Sequence, residues 1–171
     1  VPDFCIISSN AFQDEDQEIL LRKAIHNLEV MTKSKFGSEE EPLVFALRSA
    51  MPQYIPGLMP TLLNIGINRK AYRGLSRKYG ESMGNRIYLN TLSNIITMLE
   101  IDYDYTDENN LTTEEQLCKI KMMENLVINK EGNDKLLEDS FYQAFRFLTY
   151  VRNFYIKNQD LVLTFMRGKK A

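Results

Sequence analysis

Cysteine and histidine are nearly missing from this chain. Two cysteines, Cys5 and Cys118, and one histidine, His26, occur in 171 residues. Two thiols with no C-x-x-C pair cannot form a disulfide framework, and they fit a reducing, cytoplasmic or nuclear setting. One histidine is too few for catalytic zinc, which takes two or three, and structural zinc wants clustered cysteines. His26 lies between Ile25 and Asn27 in an amphipathic stretch and reads as an ordinary helical residue. Neither a metal nor a cofactor is expected.

Long apolar runs are also missing. None approaches the ~18 residues of a spanning helix. No cleavable signal pattern is visible at the N-terminus. The chain opens at Val1 without a methionine, which predicts a fragment or a trimmed product. One glycosylation triplet, Asn110-Leu111-Thr112, occurs, and such triplets arise often by chance. Glycine and proline are scarce at 8 and 5 residues. Pro42, Pro52, Pro56, Gly57 and Pro60 cluster, and long stretches elsewhere have no breaker. That distribution favours helices over strands with tight turns.

What remains is an ordinary globular composition: 44% hydrophobic, 26% charged, formal net charge −2. Apolar content of this size excludes a disordered tail and suffices for a core.

Apolar periodicity places the elements. Residues 1–13 show no period and predict an arm packed on the body through Phe4, Ile6 and Ile7, or a short edge strand. The acidic run Asp14, Glu15, Asp16 and Glu18 opens a helix to about Lys33, with Leu21, Ile25 and Leu28 inward. Residues 34–41 predict a loop. Pro42 suits the first turn of a second helix, ending near Met51. Residues 52–57 form a kinked connection. A short apolar helix from Pro60 carries Leu62, Leu63 and Ile65 and stops at Gly66. Asn68 caps a further helix to about Tyr79.

Gly80 and Gly84 bracket a break, and Ser82 to Glu100 is the most strongly patterned helix, with Met83, Ile87, Tyr88, Leu92, Ile95, Ile96 and Leu99. Residues 100–110 predict an exposed acidic linker. Thr113 with Gln116 fits a capping box for a helix carrying Leu117, Ile120, Met123, Leu126 and Val127. Residues 129–133 predict a turn. Asp134 caps a last long helix with Leu137, Phe141, Ala144, Phe145, Leu148, Val151 and Tyr155. Asn158 and Gln159 break it, and a short helix from Asp160 to Arg167 follows, stopped by Gly168. The expected fold is all-α: a compact bundle of about seven or eight helices with one long acidic loop. Residues 14–171 form one helical domain, or two lobes at 14–100 and 111–171.

Three motif matches fail on context. Gly80-Glu81-Ser82-Met83-Gly84 spells a nucleophile elbow, which needs a buried strand before the serine. Here the preceding residues are polar and helical, and Ser82 reads as an N-cap. Asp102, Asp104 and Thr106 begin a calcium-loop pattern, but Asp107 stands where glycine is required and Thr113 where a bidentate glutamate is required. No phosphate-cradling glycine motif occurs. These failures predict a non-enzyme with no catalytic residue.

Two surfaces remain as binding candidates. Phe147, Tyr150 and Phe154 form a second apolar stripe on the last helix, either buried centrally or offered to a partner. The stretch from Asn68 to Arg86 holds Arg69, Lys70, Arg73, Arg77, Lys78 and Arg86 against one acid, Glu81. Arg69, Arg73 and Arg77 share one helix face at four-residue spacing. Such like-charge pairs cost about 0.2–0.5 kcal/mol each in isolation. An anionic ligand would compensate them, or the chain's own acids at Glu39-Glu40-Glu41 and from Glu100 to Glu115. Tyr72 and Tyr79 could stack on bases, and Arg167, Lys169 and Lys170 could extend the patch.

The sequence therefore predicts a non-enzymatic helical module that contacts RNA or another polyanion. The role is nucleoprotein-like only by architectural analogy with helical lobes of viral nucleoproteins. The pI of about 5.6 weighs against a dedicated nucleic-acid binder, although local asymmetry sets the field in a groove. The alternative is a protein-interaction or self-assembly module that docks an acidic or apolar segment, or a second copy.

Overall fold

The structure is a computed structural model that describes residues 3–8, 16–48, 61–105, 111–158 and 160. Among the described residues the order is α1 (Gln17–Thr32), β1 (Lys35–Phe36), β2 (Pro42–Leu43), β3 (Phe45–Leu47), β4 (Leu62–Ile65), α2 (Arg69–Tyr79), α3 (Glu81–Met98), α4 (Thr113–Glu131), α5 (Lys135–Glu138) and α6 (Ser140–Lys157). The chain is mostly helical, as expected. The described helices number six rather than seven or eight, and short strands replace two expected helices.

The caps explain where the helices begin. Asp16 accepts the amides of Glu18 and Ile19 and starts α1. Asn68 accepts the Ala71 amide at the head of α2. The capping box of α4 is Thr112 with Glu115, one residue earlier than the expected Thr113 pair. Glu115 accepts the Thr112 amide and hydroxyl, which together hold its carboxyl below the ordinary range. The expected long helix from Asp134 is split. Asp139 takes an extended backbone after α5 and caps α6 by accepting the Tyr142 amide. Residues 129–131 continue α4, and Gly132 closes it at φ 74°.

The proline-rich half departs furthest from expectation. Pro42–Leu43 pairs in parallel with Lys35–Phe36, and Phe45–Leu47 pairs antiparallel with Leu62–Ile65. These strands bury Leu43, Leu62 and Ile65. Two- to four-residue strands leave too short a pattern for periodicity to register. The expected connection at 52–57 and the terminal helix at 160–167 lie outside the described residues, apart from Asp160.

α3 is the central element. It buries Tyr88, Leu89, Leu92, Ile95 and Ile96, with α2 and α4 packed along it. Gly84 sits inside α3, because a Cβ there would lie 2.1 Å from the Ser76 hydroxyl oxygen of α2. Met83 faces out instead of in. One apolar cluster runs from Leu21 of α1 to Val151 of α6. No helix among the described residues is long and apolar enough to cross a membrane.

A polar joint holds the β4–α2 corner. Gly66 has φ 100°, and a Cβ there would lie 2.2 Å from the Phe36 ring. Its amide donates to Gln143 Oε1 at 3.0 Å. Gln143 Nε2 donates to the Ile67 carbonyl at 3.1 Å and to the Leu136 carbonyl at 3.0 Å. Ser140 Oγ donates to the Gly66 carbonyl at 2.7 Å, and Asn68 Nδ2 donates to the carbonyls of Gly37 and Glu138. All of Gln143 is buried. Gln143→Leu would strand one buried amide and two buried carbonyls. We expect it to cost about 3 kcal/mol in urea unfolding, against less than about 0.5 kcal/mol for the surface change Lys70→Ala. Equal costs would refute the joint.

Candidate functional site

The basic face of α2 is divided between two environments. Arg69, in its first turn, turns inward. Its Nε and Nη2 donate to Glu124 of α4 at 3.0 and 2.9 Å, a fork-on-fork pair. Its Nη1 donates to Glu138 at 2.9 Å and reaches Asp134 at 3.5 Å. One guanidinium, 27% exposed, thus answers three carboxylates. The hydrogen bonds to Glu124 raise its pKa above the ordinary arginine value, outweighing burial.

Tyr88 completes this cluster. Its hydroxyl donates to Glu124 at 2.7 Å, and burial raises its pKa well above the phenol range, so it stays a neutral donor. Tyr72 stacks on Tyr88 with ring centres 4.4 Å apart, and its hydroxyl donates to buried Asn85 at 2.5 Å. Burial also raises the Tyr72 pKa. One face of its ring is occupied by Tyr88.

Arg73 and Arg77 stay at the surface, 55% and 68% exposed, and converge on one carboxylate. Arg73 Nη2 lies 3.6 Å from Glu39 Oε2, and Arg77 Nη2 donates to Glu39 Oε1. Lys78 pairs with Glu41 at 2.8 Å. Both acids ride on the segment before β2. Gly74 brings that segment close, since a Cβ there would lie 1.7 Å from the Glu39 carbonyl oxygen. Glu39, Tyr72, Arg73, Ser76, Arg77 and Glu81 line an open cleft of about 450 Å³. Lys70 and Arg86 are exposed on α2 and α3. Arg167, Lys169 and Lys170 lie outside the described residues.

The other singled-out residues fall as follows. Phe147 is fully buried, while Tyr150 and Phe154 are half-buried with ring centres 6.5 Å apart. Tyr155 is exposed, and the Arg22 guanidinium covers Phe141 at 3.7 Å. Gly80 ends α2 and caps α3, so Ser82 lies inside the first turn of α3 rather than at its N-cap. His26 is exposed and 4.0 Å from Glu29. Asp102 and Asp104 lie in an irregular segment. Thr106 and Asp107 are outside the described residues.

Sequence reasoning missed Glu124, Glu138, Tyr88 as a hydroxyl donor, and the Gln143 joint. Glu124 sits beside Met123 and Val127 on the inward face of α4, and a carboxylate in that position signals a buried cation partner.

No protein-family model matches the chain. It is similar to pyruvate, phosphate dikinases. The enzyme of that name from Rickettsia conorii is 39% identical over 61 residues, 36% of this chain and 7% of the enzyme. That from Clostridium symbiosum is 41% identical over 58 residues, 34% of this chain and 7% of the enzyme. The chloroplastic enzyme of Mesembryanthemum crystallinum is 27% identical over 143 residues, 77% of this chain and 14% of the enzyme. The matches therefore span only a small part of the relatives' length.

These relatives correct the functional expectation. They are named as enzymes, which overturns the non-enzymatic, RNA-binding, nucleoprotein-like module and its interaction or self-assembly alternative. The physical basis of the error is visible at Arg69. The like-charge spacing needed compensation, and for this arginine the chain supplies it from within.

Arg69 and Arg77 share a helix face but differ in burial, and their removal should differ likewise. Arg69→Met leaves three carboxylates facing one another and should cost about 2–3 kcal/mol. Arg77→Met should cost less than about 1 kcal/mol. Urea unfolding of both variants checks this, and equal losses would show that the Arg69 cluster contributes nothing beyond a surface pair.

Proposed function

We propose that this chain is a portion of a phosphoryl-transfer enzyme of the pyruvate, phosphate dikinase kind. Within that enzyme it is a helical frame that presents an arginine-lined cleft to a phosphate-bearing ligand. The observation that carries the reading is the 39% identity over 61 residues with the Rickettsia conorii enzyme. The same name recurs among bacterial, amoebal and plant relatives.

The geometry supports it in one respect. Phosphoryl transfer asks a protein mainly for positioning and for fixed positive charge where phosphate oxygens gather. α2 carries Arg73, Arg77 and Lys78 beside an open cleft, on a helix anchored at its other end by Arg69. Anchoring limits the reorganisation needed when an anion arrives. Cys5 and Cys118 are both free thiols, which fits work in a reducing compartment such as the cytoplasm.

A chimera tests the reading. The stretch of the Clostridium symbiosum enzyme that matches this chain is replaced by this chain's residues. The folded product should keep phosphoryl transfer dependent on pyruvate and phosphate, within about tenfold of the parent, a change of about 1.4 kcal/mol in barrier. A soluble, folded chimera with no such activity would contradict it.

A further inference from the structure

We propose that the Arg73–Arg77 fork is an oxyanion site for a single phosphoryl group. In the structure the Glu39 carboxylate holds that place and is the group a phosphate displaces. The ligand class rests on the reading above; the site itself rests on geometry.

Four observations lead there. First, two guanidiniums on successive turns of α2 point at one shared acceptor. A carboxylate offers them two oxygens, whereas a phosphate offers three or four and carries up to twice the charge. Second, Arg73 and Arg77 meet one acid directly, Glu39, and Lys78 is already matched by Glu41. Glu81 also lines the cleft, so two positive charges are left against one carboxylate once Glu39 turns away. Third, the site is accessible, since Arg73 and Arg77 are more than half exposed and the cleft they line is open. Fourth, the carboxylate can leave without unfolding anything. The Glu39 backbone is pinned against Gly74, so the exchange needs only a side-chain rotation into solvent.

The surroundings narrow the ligand. Glu81 lines the same cleft, and its carboxylate opposes a second bound phosphate. Tyr72 and Ser76 also line the wall, but the Tyr72 hydroxyl is directed to Asn85 and the Ser76 hydroxyl oxygen is buried, so the two arginines are the donors that face the ligand. One compact dianion therefore suits the fork better than a polyphosphate chain. It can come from free phosphate or from the terminal group of a phosphate monoester, and the chemistry of recognition is shared.

The test follows arginine side-chain NMR signals of the protein at constant ionic strength. The titrants are inorganic phosphate, glycerol phosphate and, as control, sulfate. Inorganic phosphate should shift the Arg73 and Arg77 signals saturably and leave Arg69 unmoved. Glu39→Gln should tighten binding about tenfold, a gain of about 1.4 kcal/mol. The double change Arg73→Gln with Arg77→Gln should abolish binding, while Lys70→Gln should not alter it. Saturation by glycerol phosphate as well assigns the site to a monoester's terminal group, and saturation by phosphate alone assigns it to the free ion.

Binding that survives the double change overturns the site, as does the lack of saturation in both the wild type and Glu39→Gln. Equal affinity for sulfate overturns the phosphate assignment. The two proposals fail separately. An inactive folded chimera whose fork still binds phosphate sinks only the dikinase reading. An active chimera with no phosphate binding sinks only the fork.

Discussion

The carboxamide of Gln143 is the contact on which the geometry of this fold depends. It meets the corner between β4 and α2 with every polar atom matched, accepting from the Gly66 amide and donating to the Ile67 and Leu136 carbonyls. A helix that begins just after a strand leaves amides and carbonyls at the corner, and burying them without partners is expensive. Here α6 reaches back across more than seventy residues to satisfy them. Ser140 and Asn68 close the remaining positions. The joint fixes where α2 starts and which way its first residue points.

Everything cationic on α2 follows from that start. Arg69 is carried inward to Glu124 and Glu138, and the four-residue spacing then sets Arg73 and Arg77 above the segment held against Gly74. Residues of one type at one spacing thus acquire different roles. One arginine is a structural anchor bound to α4 and to the residues around α5. The other two share a single carboxylate and remain available at a cleft. Under the proposed reading, a helix anchored at one end and open to solvent at the other is what phosphoryl transfer would use, since that chemistry needs charges held in place before the ligand binds.

Much of the helical framework could be read from spacing and caps. Asn68 began the helix it was expected to begin, the first helix opens within the expected acidic run at Asp16, and the apolar residues of α3 from Tyr88 to Leu99 went inward. The strands could not be read. Pro42–Leu43 and Phe45–Leu47 have too few residues for a period of two, and their partners come from elsewhere in the sequence. α6 was read too early because Asp134 and Asp139 are both plausible caps and only packing chooses between them. At the site, the basic residues were legible, and so was the acidic stretch Glu39 to Glu41 that pairs with Arg73, Arg77 and Lys78, whereas the partners of Arg69 were not. Glu124 and Gln143 look like surface residues by type, and only the fold reveals that each meets buried groups. The enzymatic relationship was not read from the sequence, because the motifs weighed there failed on context; it comes from the comparison with the relatives.

Amide hydrogen exchange at Gly66 tests the account most directly. If Gln143 holds the corner, the Gly66 amide exchanges as slowly as the core amides of α3 such as Leu92, opening only when the whole domain unfolds. Exchange at the rate of an unprotected loop amide, with α3 still protected, would mean that the corner opens on its own and that α2 is not positioned by this contact.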